Sequence, residues 1–195
     1  MNVQVKTSGG ISLIPMETRL LSERKIFIEG EISQTSACEF VKKVIILCRE
    51  DAKKPIDVFI NSSGGEIIAG MLMYDCIQST KTPIRMFCMG AAYSMGALLF
   101  ASGTHGRYMF EHSELMLHEP LLGSKVAGNA SSLRSISESL NDAKRKMNSI
   151  LVKHTGRSEQ EIEEATSFDH FFTPEESIDF GLADEIITFD KIMEV

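Results

Sequence analysis

The chain has 195 residues, a formal net charge of −7, 43% hydrophobic and 24% charged residues, the balance of a globular domain long enough to bury a core without staples. That acidic balance excludes a nucleic-acid surface built on clustered Lys and Arg, and no apolar run approaches the ~20 residues of a membrane-spanning helix. The opening "MNVQVKTSGG" has no charged start followed by an apolar stretch, so it reads as carrying no secretory signal.

In chain order, "KIFIEG" (25–30) has the β-branched and aromatic character of a strand and ends at a glycine. "QTSACEFVKKVIILCR" (34–49) reads as a helix, with Thr35 or Ser36 as its cap. "IDVFIN" (56–61) reads as a short buried strand that breaks at "SSGG" and resumes as a helical pattern, "EIIAGMLMYDCIQS". "PIRMFCMG" (83–90) is the next strand, and "GRYMF" and "ELMLHEP" are short strands about a polar turn. Over 131–155 the apolar positions Leu133, Ile136, Leu140, Ala143, Met147 and Ile150 recur at steps of 3 and 4. Such a narrow seam suits a helix packed on a narrow partner, either another subunit or the same domain. Gly156 ends it. Ser158 with Glu161 and Thr173 with Glu176 have capping-box spacing, and "DEIIT" (184–188) is the last strand. Strands alternating with helices predict an α/β layer fold in a single domain. Cys38, Cys48, Cys76 and Cys88 fit no zinc spacing and sit among apolar residues, so buried free thiols in a reducing, cytoplasmic setting are expected.

Three short stretches carry residues capable of chemistry. In "GAAYSMGALLFASG" (90–103) one hydroxyl, Ser94, stands between small residues and an apolar helix-forming run. It is either an N-cap or a nucleophile at a helix N-terminus, where backbone N–H groups face a developing oxyanion. "INSSGGE" places paired glycines between strand and helix, as a plain tight turn or as a source of inward backbone N–H donors; the phosphate-loop patterns are absent. His118 leaves an apolar strand just before "EP", as a structural histidine or as one reaching a cleft. Asp169 lies among Phe168, Phe171 and Phe172; it is a surface turn residue or, shielded from water by those rings, one that requires a partner such as an imidazole. Together they supply the parts of serine acyl-transfer chemistry in the order Ser, His, Asp, which is not the order of an α/β-hydrolase.

"INSSGGEIIAGM", "GAAYSMGALL", "LMLHEP" and "FFTPEESIDFGLADEI", in that order, resemble the proteolytic subunit of the Clp ATP-dependent protease, over about residues 14–187. The resemblance implies a crotonase-like (ClpP/crotonase) fold. Its head would span about 14–120 and 156–190, and a protruding handle strand and helix about 121–155. It implies Ser94 as nucleophile, His118 as general base and Asp169 as the residue orienting it, with the backbone N–H groups of Gly65 and Met95 as oxyanion hole. The segment Gly123, Ser124, Lys125, Val126, Ala127 and Gly128 would pair with the extended substrate. It further implies heptameric rings stacked in pairs, a tetradecamer that degrades unfolded chains for protein quality control. An AAA+ unfoldase of the ClpX, ClpC or ClpA type would deliver them and use the ATP, so this chain itself would need no cofactor and no metal. The alternatives are a weakly active ring partner of a paralogous subunit and a crotonase-like acyl-CoA enzyme. The chain differs from the family pattern at Ser63, usually proline, at Glu119, usually glutamine, and at Phe168, commonly arginine. It also has a loop about two residues longer after His118 and an unlike N-terminal segment. Such differences suit a divergent second paralogue. A carboxylate at Glu119 is expected to favour the charged imidazole.

Overall fold

The computed structural model describes residues 1–7, 10–123 and 127–193. Strand β1 (Asn2–Thr7) and strand β2 (Gly10–Pro15) form an antiparallel hairpin, followed by helix α1 (Met16–Ser22). The hairpin strands pair only with each other and are largely exposed. Val3, Val5 and Ile14 are half-buried, and the alternation of "NVQVK" is a strand signal that the sequence reading passed over.

From residue 25 the chain alternates: β3 (Lys25–Ile32), α2 (Gln34–Glu50), β4 (Ile56–Gly65), α3 (Ile67–Ser79), β5 (Ile84–Tyr93), α4 (Met95–Ala101), β6 (Arg107–Phe110) and β7 (Glu114–Leu117). The long helix α5 (Ala130–Thr155), α6 (Glu159–Thr166), β8 (His170–Phe172), α7 (Pro174–Phe180), β9 (Glu185–Ile187) and a 3-10 turn (Asp190–Met193) follow. Strands β3, β4, β5, β6 and β9 lie side by side and parallel. One face of this sheet takes Ile26, Ile28, Val58, Ile60, Met86 and Cys88 into a core with Phe40, Val44 and Leu47 of α2, Met73 and Ile77 of α3, and all of α4. On the other face Phe27, Phe59, Phe87 and Tyr108 are paired in register across four strands and stack at 5.0, 4.9 and 5.0 Å between ring centroids.

Strand β5 is forked. Met86 to Cys88 pair with β6, whereas Ala91 to Tyr93 pair with β7. Between them Gly90 takes φ +88° and the Asn61 side chain accepts from the Ala91 N–H at 3.3 Å. Strands β4 and β5 therefore run past their expected ends at Asn61 and Gly90. The polar "SSGG" segment stays paired to β3 as far as Gly65, and the small residues before Ser94 pair with β7, the branch of the sheet that continues to β8.

Several local expectations need correction. The cap of α2 is Ser33, not Thr35 or Ser36, and Ser36 is its reciprocal partner three residues on. The helix start was legible, but the hydroxyl that accepts an orphan N–H lies one residue outside it. Cys38 is exposed and Cys48 and Cys76 are half-buried; of the four free thiols Cys88 alone is buried. Cys38 lies just off the Ala37, Phe40, Val44, Leu47 stripe that faces the core, so its neighbours are apolar but its own position is not inside. The boxes at Ser158 and Thr173 form with Glu161 and Glu176, and Gly156 closes α5 in the left-handed region at φ 72°. Within the chain, α5 buries Met147, Ile150 and Leu151 near its C-terminal end, where it packs on α4 and α6, while Leu133 near its start stays exposed.

Candidate functional site

Strand register assembles the site. β7 pairs with β8 antiparallel through Leu115↔Phe172, Met116↔Phe171 and Leu117↔His170. Continuing that ladder by one step sets His118 opposite Asp169. β5 pairs with β7 through Tyr93↔Met116, and the Ser94 N–H donates to the Met116 carbonyl at 2.8 Å. Three residues far apart in sequence thus leave neighbouring strands at one level. His118 Nε2 lies 2.8 Å from Ser94 Oγ, and His118 Nδ1 lies 3.1 Å from Asp169 Oδ1. An ionised carboxylate only accepts. With Asp169 ionised, Nδ1–H donates to it and Nε2 is left to accept from the Ser94 hydroxyl.

Ser94 occupies the N-cap position of α4 but does not act as a cap. Its side chain makes no cap hydrogen bond, and its backbone takes φ 53° and ψ −120°. Among the described residues only Arg24 shares a positive φ without being glycine. Such a conformation costs about 1–3 kcal/mol and persists only where the surroundings enforce it. Here they do. Leu98, Leu99 and Phe100 of α4 are each no more than 1% exposed, and each buried side chain of this kind contributes ~1.5–3 kcal/mol, so packing outweighs the strain. Gly64 makes room on the other side: a Cβ there would stand 2.7 Å from the Tyr93 carbonyl oxygen and 2.9 Å from Ser94 Cβ.

A cavity of about 210 Å³ opens beside Ser94 and His118. Ile67, Pro120, Leu121 and Met147 give it apolar walls, and Gly65 and Met95 also line it. The Glu66 N–H donates to the Ile32 carbonyl at 2.9 Å. Successive residues of a strand turn their N–H groups to opposite edges, so the Gly65 N–H is directed away from β3. No side chain fits at Gly65, because a Cβ would lie 2.2 Å from that same carbonyl oxygen. Met95 opens α4, and first-turn N–H groups have no partner within their own helix. Both expected oxyanion donors thus border the space next to Ser94 Oγ.

The carboxylate side departs from expectation. Asp169 is not shielded: its side chain is 63% exposed, against 16% for His118. Phe168 is 86% exposed, Phe171 about half, and only Phe172 is buried. Glu119 does not lean on the imidazole either. Its carboxylate is 2.8 Å from Lys144 Nζ of α5, which also reaches Glu163 at 3.4 Å; Glu119, then Glu163, hold the Lys144 ammonium above its ordinary pKa. Of the segment expected to pair with substrate, Gly123 sits in a bend, and Ala127 and Gly128 lead irregularly to Asn129, the cap of α5. Ser124, Lys125 and Val126 lie outside the described residues. Sequence reasoning missed Tyr93, whose hydroxyl donates to Glu114 Oε1 at 2.6 Å and whose ring meets Phe171 edge-on at 5.8 Å. Its one signal was a large side chain in a run of small ones.

The family model described as Clp protease matches residues 9–190. The chain belongs to the Clp protease family. The parallel-dominated sheet with its flanking helices is accordingly the ClpP/crotonase-like α/β fold, and the function is to be sought among ClpP-type peptidases. Among the described residues of this Clp protease chain, no helix is long and apolar enough to cross a membrane.

Proposed function

We propose that this chain is a serine endopeptidase subunit that cleaves unfolded polypeptides. The observation that carries the reading is the unbroken Ser94 Oγ, His118 Nε2, His118 Nδ1, Asp169 Oδ1 chain, at 2.8 and 3.1 Å, on a strained turn that leaves the Ser94 hydroxyl uncommitted to capping. Ser94 Oγ attacks the substrate carbonyl carbon while His118 takes its proton, and Asp169 holds the imidazole in the required tautomer. The Gly65 and Met95 N–H groups receive the oxyanion. His118 then returns the proton to the departing amine, and water releases the acyl group by the same steps in reverse order. Each oxyanion donor contributes about 100- to 1,000-fold in rate.

Family membership supports assembly into rings served by Clp unfoldases. In this reading two heptameric rings enclose the sites, residues 121–155 form a handle between rings, the segment 123–128 lies along the substrate, and an AAA+ unfoldase spends the ATP in the cytoplasm. A second reading, a weakly active ring partner of a paralogous subunit, is favoured by the exposure of Asp169 and Phe168 in the single chain.

One experiment tests both. The purified chain is treated with a fluorophosphonate and assayed on a fluorogenic peptide, and its native mass is measured alone and with a paralogous ring. Labelling at Ser94, and loss of at least about 10⁴-fold in kcat in Ser94→Ala at unchanged native mass, are expected. Peptidase activity surviving in pure Ser94→Ala would sink the reading; activity that emerges only with the paralogous ring would select the second one.

A further inference from the structure

Tyr93 interrupts the small residues of "GAAYSMG" directly before Ser94. Register sets Tyr93 opposite Met116 and Met116 opposite Phe171, so the three side chains form one rung across β5, β7 and β8. Strand side chains return to the same face every second residue. His118 is two residues on from Met116, and Asp169 is two residues before Phe171. The rung therefore lies next, on its own face, to the level at which the imidazole and the carboxylate meet.

The rung is fixed at both ends of the tyrosine. The Tyr93 hydroxyl donates to Glu114 Oε1 at 2.6 Å, and Glu114 sits on β7 two residues before Met116. That carboxylate, by accepting the phenolic hydrogen bond, holds the Tyr93 pKa above its ordinary value. The ring meets Phe171 at 5.8 Å and 88°, an edge-to-face contact favoured by the aromatic quadrupole. Met116, between them, is 8% exposed, and its flexible side chain adapts to its neighbours rather than setting their distance. β8 itself is only three residues long, which leaves few ladder bonds to place Asp169.

We propose that Tyr93 is a positioning residue: its ring, held by Glu114 and braced against Phe171, sets the spacing between the strand that carries Ser94 and the strand that carries Asp169. This inference rests on the serine-peptidase reading above. It means that the two ends of the Ser94, His118, Asp169 chain are tied through side chains behind the site as well as through the imidazole. Without the ring, β8 is free to shift on β7, and the 3.1 Å contact of Asp169 with Nδ1 lengthens.

The test uses the full chain in its native assembly, with Tyr93→Phe, Tyr93→Ala, Phe171→Ala and the pair Tyr93→Ala with Phe171→Ala. For each variant kcat and KM on a fluorogenic peptide, the rate of fluorophosphonate reaction at Ser94, and Tm are measured. Misplacing a reacting group by about 1 Å costs on the order of 100-fold, so Tyr93→Ala is expected to lower kcat and the fluorophosphonate rate to that extent with KM little changed. Phe171→Ala loses a comparable factor, and the pair loses no more than the worse single variant, because both break one brace. Tyr93→Phe keeps the ring and retains most of the activity. Wild-type kcat in Tyr93→Ala, losses that multiply in the pair, or losses that merely follow the folded fraction would each overturn the inference. If Tyr93→Ala does not fold, Phe171→Ala decides: wild-type kcat there overturns it. A wild-type chain that fails to react at Ser94 defeats the peptidase reading itself. A wild-type chain that reacts, beside a Tyr93→Ala variant that reacts equally fast, defeats only the brace.

Discussion

The two sides of the site are built on different principles. Ser94 stands between a buried strand and a helix whose seven residues are all buried, with glycines cleared around it. Asp169 stands on the shoulder of a three-residue strand, 63% exposed and flanked by an exposed Phe168. Ser94 is thus positioned by packing within this chain, whereas Asp169 is positioned by a short ladder, its contact with His118 and the Tyr93–Phe171 ring contact on the strand beside it. Packing is stiff and costly to disturb; a short edge opens cheaply. The two sides should accordingly fail in different ways.

The sharpest separation comes from Asp169→Ala. Removing the orienting carboxylate should cost between about 10²- and 10⁴-fold in kcat, with stability changed by no more than about 0.5 kcal/mol, as for other exposed positions. Peptide assays beside denaturant unfolding check this, and a large loss of stability would place Asp169 in the packed side after all. On the nucleophile side Gly64→Ala should break both properties together. The new Cβ would meet the Tyr93 carbonyl oxygen at 2.7 Å and Ser94 Cβ at 2.9 Å, at a φ of +90° that alanine resists. Unfolding should be easier by about 1–3 kcal/mol, and kcat should fall by on the order of 100-fold.

The smallest effect tests the packed layer by pH. His154 near the end of α5 is half-buried, lies 3.1 Å from the Tyr74 hydroxyl of α3, and has its pKa pushed down to about 4, first by burial, then by Lys153 and Arg107. Because the unfolded chain binds the proton more readily, the contribution of this histidine is present above about pH 6.5 and is lost as pH falls through about 4. After allowance for screening at a half-exposed group the loss is about 1–2 kcal/mol. His154→Gln should flatten that part of the stability profile, and an unchanged acid limb would show that the titration lies elsewhere.

What was legible in the sequence was local. The boxes at Ser158 and Thr173, the glycine at 156 and the helix over residues 34–49 depend on residues within a turn or two, and those were recovered. The pairing of His118 with Asp169 spans 51 residues and depends on the register of β8, which is too short to announce itself by alternation. Of the two readings open for Asp169, a surface turn residue or a carboxylate shielded by aromatics, its exposure fits the first, for a related reason. Phe171 and Phe172 are adjacent in a strand, so they point to opposite faces, and only Phe172 enters the core. A cluster of aromatics in sequence is not a cluster in space. Ser94 shows the converse: its identity as a cap or a nucleophile turned on a backbone angle that no residue pattern encodes, although Gly64 across from it hinted that something had to come close.

The fork of β5 gives this contrast a temporal side. One half of the strand is locked into the central sheet by β6, and the other half carries the rungs of β7 and, beyond it, β8. Among the described strands β8 pairs only with β7, through three rungs, whereas Ser94 follows a strand held on both sides, to β4 at Ala92 and to β7 from Ala91 to Tyr93. Fraying of that short edge would therefore displace Asp169 from His118 before it disturbed Ser94.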